Sequence, residues 1–160
     1  CRGPCPVTGA LALSGVQPPS PSTFIIDTSV AIKWYLPEIY QSEAQRFLDP
    51  VCDRHAPDLL HAELGSVLLK KLRRREIKVD ECRLYLGRLS AVPLISHEAL
   101  PLRQVALEIG LQIGSSFYDG LFLALALQLG ERLVTADSKL YRKIESSPFD
   151  SWAFWITNSL

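Results

Sequence analysis

From Thr23 onward, short runs rich in β-branched and aromatic residues alternate with longer stretches whose apolar positions recur at helical spacing. The short runs predict strands over 24–26, around Ala56-Pro57, and over 92–95, 132–135 and 153–157. The longer stretches predict helices over 29–35, 42–48, 59–74, 79–90, 98–110, 116–129 and 139–144, with Gly110, Gly114 and Gly130 punctuating helix ends. Strands and helices that alternate in this way are the signature of a parallel α/β sheet.

Residues 1–22 do not share the pattern. They carry Arg2 as their one charged residue and are dense in proline and glycine, so they are expected to form a disordered leader or to reflect a mis-assigned start. The function is expected in 23–160, one domain by length, and 48% apolar composition suffices to close its core. Lys and Arg together number 17, as do Asp and Glu, so no global field draws the chain to nucleic acid or membrane, and a polyanion site has to be local. The longest apolar run, 121–127, falls far short of the roughly 18 residues of a membrane span, so a soluble protein is expected. Four cysteines with no Cys-x-x-Cys pair argue against a disulfide framework or structural zinc and suit the reducing cytoplasm.

The carboxylates carry the chemical information. Asp27 closes the apolar run Phe24-Ile25-Ile26, and Asp137 follows Leu133-Val134-Thr135-Ala136; each ends a buried strand and precedes a helix. Either alone also suits a helix N-cap. On a helical wheel, Glu63 falls inside the apolar arc of Leu59, Leu60, Leu64, Val67 and Leu68, where a carboxylate has to be neutral, hydrogen-bonded or bound to a cation. Asp119 stands three residues after Ser116, a spacing that also fits a capping box, and leads into a helix apolar on every side.

Convergence separates these readings. In a parallel α/β sheet the strand-to-helix turns share one rim, which gathers Asp27, Glu63, Asp119 and Asp137 at a single edge. Carboxylates so placed repel unless a hard divalent cation compensates them, and an all-oxygen set suits Mg²⁺ or Mn²⁺ better than zinc. Such an ion lowers the pKa of a bound water and neutralises charge on a phosphodiester, so the expected reaction is metal-assisted phosphodiester hydrolysis.

Four blocks, Phe24-Ile25-Ile26-Asp27-Thr28-Ser29, Pro57-x-Leu59-x-x-x-Glu63, Ser116-x-x-Asp119 and Thr135-Ala136-Asp137, together resemble the signature blocks of PIN-domain ribonucleases, particularly VapC-type toxins of toxin–antitoxin pairs. The resemblance spans 23–160. It implies a three-layer α/β/α fold around a parallel sheet of about five strands in the order 3-2-1-4-5. It further implies Mg²⁺-dependent cleavage of RNA and inhibition by a cognate antitoxin. By the match, Asp27, Glu63 and Asp119 are the principal metal ligands and catalytic acids, Asp137 is the fourth, and Ser29 and Thr135 are supporting hydroxyls. A homodimer is also expected. Two departures stand out: the 22-residue leader, and Gly120 where alanine is common after the third acid.

Lys33, Lys139 and Arg142, near helix starts on the acidic rim, are the expected contacts to substrate phosphates. The block Lys70, Lys71, Arg73, Arg74, Arg75 and Lys78 ends the Glu63 helix, where cations complement the helix dipole and solvate a surface; that reading is favoured over RNA or antitoxin contact. Trp34 and Tyr35 suit the core or a dimer face better than base stacking, and His55, His61 and His97 lack ligand spacing. Two alternatives stay open: a catalytically silent PIN-like module that binds RNA or protein, and a metal-dependent phosphatase. The second usually starts with Asp-x-Asp or paired acids, which Asp27-Thr28-Ser29 does not supply.

Overall fold

A computed structural model describes residues 23–160; the expected leader lies outside the described residues. Five parallel strands form one sheet in the order β3-β2-β1-β4-β5: β1 Thr23–Ile26, β2 Asp53–Pro57, β3 Ile95–His97, β4 Arg132–Thr135 and β5 Ala153–Trp155. This is the strand order expected from the family resemblance. Among the described residues, seven α-helices connect them: α1 Thr28–Ala31, α2 Gln41–Gln45, α3 Leu59–Arg73, α4 Val79–Ser90, α5 Arg103–Ile113, α6 Phe117–Leu129 and α7 Ser138–Glu145.

The chain winds outward from the central strand β1 twice. The path from β1 through β2 to β3 moves to one edge, and right-handed crossovers put α1 to α4 on one face; the return through β4 to β5 puts α5 to α7 on the other. Aromatic contacts tie these helices to the sheet. Phe24 meets Phe47, in the 3₁₀ turn after α2, edge to face at 5.2 Å, while Tyr141 of α7 meets Trp155 of β5 at 5.3 Å. Gly120 to Ala126 of α6 are buried without interruption, the outcome expected for a helix apolar all round.

Three sequence expectations need correction. The third strand lies at Ile95–His97 rather than 92–95, because its register pairs His55 with Ile95 and Pro57 with His97. Pro93 has no amide to give a ladder, and its carbonyl instead accepts from Arg54 Nε at 2.9 Å. The fifth strand stops at Trp155, two residues short of the expected end. The helix expected over 98–110 begins with a 3₁₀ turn, Leu100–Leu102, around Pro101 and continues as α5 through Gly110 to Ile113. Gly114, at φ 65°, is the residue that ends it, so Gly110 is an interior position.

The carboxyl ends of the strands define the rim that matters. Asp27 and Asp137 follow β1 and β4, which are neighbours in the sheet, and α3 starts two residues after β2. Asp119 reaches the same rim by another route. Its helix follows α5, not a strand, but α6 leads directly into β4, so it runs opposite to the strands and presents its first turn at their carboxyl ends.

Candidate active site

Asp27 is 7% exposed and occupies the position before α1, yet its side chain does not cap that helix. Its Oδ2 instead accepts from Ser29 Oγ at 2.5 Å and from Thr135 Oγ1 at 2.6 Å. Those two hydroxyls are themselves fixed: Ser29 Oγ accepts from the amide of Ala136 at 2.9 Å, and Thr135 Oγ1 accepts from the amide of Asp137 at 3.0 Å. The ends of β1 and β4 are thereby laced together through Asp27. Burial raises its pKa above the ordinary carboxylate value, the two hydroxyls oppose that rise, and the charges of Asp119 and Asp137 add to it.

Glu63, in the second turn of α3, is half-buried and accepts from Thr28 Oγ1. Burial again pushes its pKa up, the Thr28 hydroxyl opposes, and the charges of Asp27 and Asp119 reinforce the rise. Asp119 forms a capping box with Ser116: the Ser116 amide donates to Asp119 Oδ2 and the Asp119 amide to Ser116 Oγ, both at 3.1 Å. Asp137 caps α7, its Oδ1 accepting from the amides of Lys139 at 2.8 Å and Leu140 at 3.1 Å. The capping contacts considered from sequence are thus real for these two residues, and both acids still face the same space as Asp27.

All four acids line one open pocket of about 480 Å³, together with Thr28 and Ser29. Ile32, Lys33, Glu38, Ser66, Val67 and Lys70 complete its lining. Within this pocket each acid is turned to a donor of its own, which is how mutually repelling carboxylates settle. Among the described residues, no three His, Cys, Asp or Glu side chains are gathered tightly enough to hold a metal ion. The donor chemistry nevertheless suits a hard cation. It is made of oxygen alone, it is partly desolvated, and two of its members are pushed toward protonation by burial and by like charge.

Of the three cations expected at substrate phosphates, Lys33 lines the pocket; its Nζ lies 2.6 Å from Glu38 Oε2. Lys139 and Arg142 do not line it. Arg142 folds back on α7, its Nε donating to the carbonyl of Ser138 at 3.0 Å, because both residues lie beyond the cap on an exposed helix face. Sequence reasoning overlooked Thr28, Glu38 and the pocket position of Lys70. Thr28 was open to notice as a hydroxyl beside Asp27, whereas Glu38 follows a proline in a loop and offers no periodic signal. His61 is exposed at the surface of α3.

These features define a class: a doubly wound α/β protein whose pocket at the carboxyl rim of its sheet gathers Asp27, Glu63, Asp119 and Asp137. The PIN domain family model matches residues 24–145, and the chain belongs to that family. The chain is 29% identical over 121 residues to Ribonuclease VapC3 of Pyrobaculum aerophilum, covering 74% of this chain and 92% of that protein. It is 34% identical over 88 residues to Ribonuclease VapC1 of Mycobacterium tuberculosis, covering 54% of this chain and 64% of that one. A crystal structure of PAE2754 from Pyrobaculum aerophilum shares the fold, with a TM-score of 0.62 at 20% identity over 84% of this chain and 83% of that chain. The resemblance to VapC-type PIN ribonucleases drawn from the four sequence blocks is borne out.

Proposed function

We propose that the protein is a Mg²⁺-dependent endoribonuclease, the toxin of a toxin–antitoxin pair, whose catalytic site is the pocket of Asp27, Glu63, Asp119 and Asp137. The observation that carries the reading is the meeting of four acids from four separate chain segments in one open pocket. Relatives named as VapC ribonucleases support RNA as the substrate. Asp27, Glu63 and Asp119 would hold Mg²⁺ or Mn²⁺, with Asp137 at the pocket edge. When bound, the cation supplies an acidified water and charge neutralisation at the phosphodiester.

The chain's own groups set the stage for that chemistry. Ser29 and Thr135 hold the Asp27 carboxylate in one orientation, and Thr28 holds Glu63, so the acids are preorganised by hydroxyls that cannot themselves compete as anions. Capping by Ser116 fixes Asp119 at the start of α6. An open rim between helices admits a single-stranded or looped RNA backbone more readily than a regular duplex.

The partners follow from the same reading: an RNA substrate, a cognate antitoxin and a second copy of the chain, all in the cytoplasm. Exposed apolar side chains on the helices, among them Leu69, Val79, Leu100, Leu107 and Leu111, are consistent with protein partners. Among the described residues, no single helix is long and apolar enough to cross a membrane. Residues 1–22 are taken as lying outside the nuclease domain.

The test is cleavage of total cellular RNA by the purified protein in Mg²⁺ or Mn²⁺, with any co-purifying antitoxin removed. Cutting that is abolished by chelator and by Asp27→Asn is expected. Wild-type protein that binds RNA but leaves it intact would establish the silent binding module instead.

A further inference from the structure

The lysines around the pocket are not equivalent. Lys33 is committed to Glu38 at 2.6 Å, with its side chain 13% exposed. Lys71 is committed twice, to Glu38 and to Glu76, the latter at 3.0 Å. Burial pulls the Glu38 pKa upward, but the hydrogen bonds from Lys33 and Lys71 outweigh it and leave the carboxyl below its ordinary value, so this brace is ionic at neutral pH. Lys70 shares the pocket with Lys33 but differs from both other lysines in exposure and pairing. It is exposed, it lines the pocket, and among the described residues no carboxylate pairs with it.

Its place on α3 gives a direction. Glu63, Ser66, Val67 and Lys70 all line the pocket, at the three-, four- and seven-residue spacings that put them on one helix face, while Leu60, Leu64 and Leu68 turn to the core. At about 1.5 Å per residue, Lys70 stands roughly 10 Å along the helix axis from Glu63. The acid end of the pocket repels a phosphate backbone, and a chain of zero net charge offers no overall field to compensate. A cation on the pocket wall therefore decides where the backbone lies. The opposite direction, over α7, has no cation lining the pocket, since Lys139 and Arg142 stand outside it.

We propose that Lys70 is a substrate-binding residue that holds an RNA phosphate neighbouring the scissile one, so that the strand leaves the acids along α3 instead of over α7. This rests on the nuclease reading of the same pocket. Glu38 is a positioning residue in the scheme. It gathers Lys33 and Lys71 to itself and leaves Lys70 as the cation free to meet a phosphate. The basic run at the end of α3 is thereby divided by helical phase: Lys70 faces substrate, and Lys71 faces the Glu38 brace.

Binding without turnover tests this. The full-length protein carrying Asp27→Asn, in millimolar Mg²⁺, is titrated with a short labelled single-stranded RNA over a series of salt concentrations, alone and with Lys70→Gln or Lys70→Arg added. Lys70→Gln is expected to raise Kd about fivefold, the scale of one exposed ionic contact, and to lower the slope of log K against log salt by about 0.7. Lys70→Arg should keep the slope, and because Lys70 is exposed all three proteins should melt alike. In steady-state cleavage by the otherwise wild-type enzyme, Lys70→Gln should raise KM and leave kcat nearly unchanged. An unchanged slope with Lys70→Gln, or a loss of slope with Lys139→Gln/Arg142→Gln in its place, overturns the proposal even if the wild-type enzyme cuts RNA. A wild-type protein that does not cut RNA overturns the nuclease reading itself.

Discussion

Thr135 Oγ1 donates to Asp27 Oδ2 at 2.6 Å, joining the carboxyl ends of two neighbouring strands across 108 residues of sequence. The bond opposes the burial that favours the neutral form of this acid. Burial outweighs the two hydroxyls and leaves Asp27 with a raised pKa, so ionising it costs folding free energy.

That cost yields a prediction on stability. A carboxyl whose folded pKa exceeds its unfolded value contributes stability below the unfolded pKa, here 3.8, and loses it as pH rises through the folded value. Asp27→Asn keeps the hydrogen-bonding shape without the charge. In chelator at neutral pH it should therefore melt at a higher temperature than wild type, with the gap closing toward pH 4. Millimolar Mg²⁺ should raise the melting temperature of wild type and do so less for Asp27→Asn. Equal melting of the two proteins across this range would mean that Asp27 carries no ionisation strain.

The hydroxyl supports give a second prediction. Thr135→Val removes the donor to Asp27 and the acceptor of the Asp137 amide. Thr28→Val removes the partner of Glu63. Each substitution is expected to reduce RNA cleavage about 10- to 100-fold, the usual effect of removing a group that orients a metal ligand. Thr135→Val should also destabilise by about 1–3 kcal/mol, because it leaves buried polar groups unpaired. Thr28→Val should cost less stability, because its partner Glu63 is only half-buried and can reach water. Cleavage rates measured beside melting temperatures separate the two effects.

The four acids were legible in the sequence because each sits where a local pattern changes. Two end apolar strands, one breaks an apolar arc, and one opens an apolar helix. Strand order came from the family resemblance and not from periodicity. Pairings that join distant segments were not legible. Glu38 gathers lysines from both α3 and the 3₁₀ turn after α1, and nothing in the run Leu36-Pro37-Glu38 reveals it. Adjacent helix positions point about 100° apart, so Lys70 and Lys71 meet different surroundings, but their sorting needs the pocket wall to be known. The third strand was misplaced for a related reason. Val92 and Leu94 look like strand residues, yet register with β2 begins only at Ile95, past Pro93.

His55 and His97 show what such register conceals, and they supply a third prediction. Their rings meet across β2 and β3 with Nδ1 of His55 2.9 Å from Nε2 of His97, a contact in which one ring donates and the other accepts. Burial lowers the His55 pKa, and a charge on His97 lowers it further. A base with a depressed folded pKa contributes stability above its unfolded value, near 6.5, and loses it as pH falls through the folded value. Stability should therefore decline from about pH 7 to pH 5. His55→Gln, which does not titrate, should flatten that decline in urea midpoints taken across the range. An identical decline in the variant would assign it to other groups.

Gly120 and Gly65 make an opposed pair for the last prediction. A Cβ at Gly120 would lie 2.3 Å from the carbonyl oxygen of Ala106 and 3.0 Å from its carbon, both backbone atoms that no rotamer change can move. Here α6 crosses α5 too closely for the alanine common at this family position. Gly120→Ala must push the helices apart and should destabilise by about 1–3 kcal/mol or more, exceeding the roughly 1 kcal/mol that alanine gains over glycine in a helix. It should also impair RNA cleavage, because the neighbouring residue is Asp119 and the first turn of α6 moves with the crossing. Gly65 lies inside α3, two residues from Glu63, and a Cβ there meets nothing within 4 Å. Gly65→Ala should therefore stabilise by about 0.5–1 kcal/mol and leave cleavage intact. Melting and cleavage of the two variants, measured side by side, check both halves. A Gly120→Ala protein as stable and active as wild type would show that the α5 and α6 crossing has room that this packing denies it.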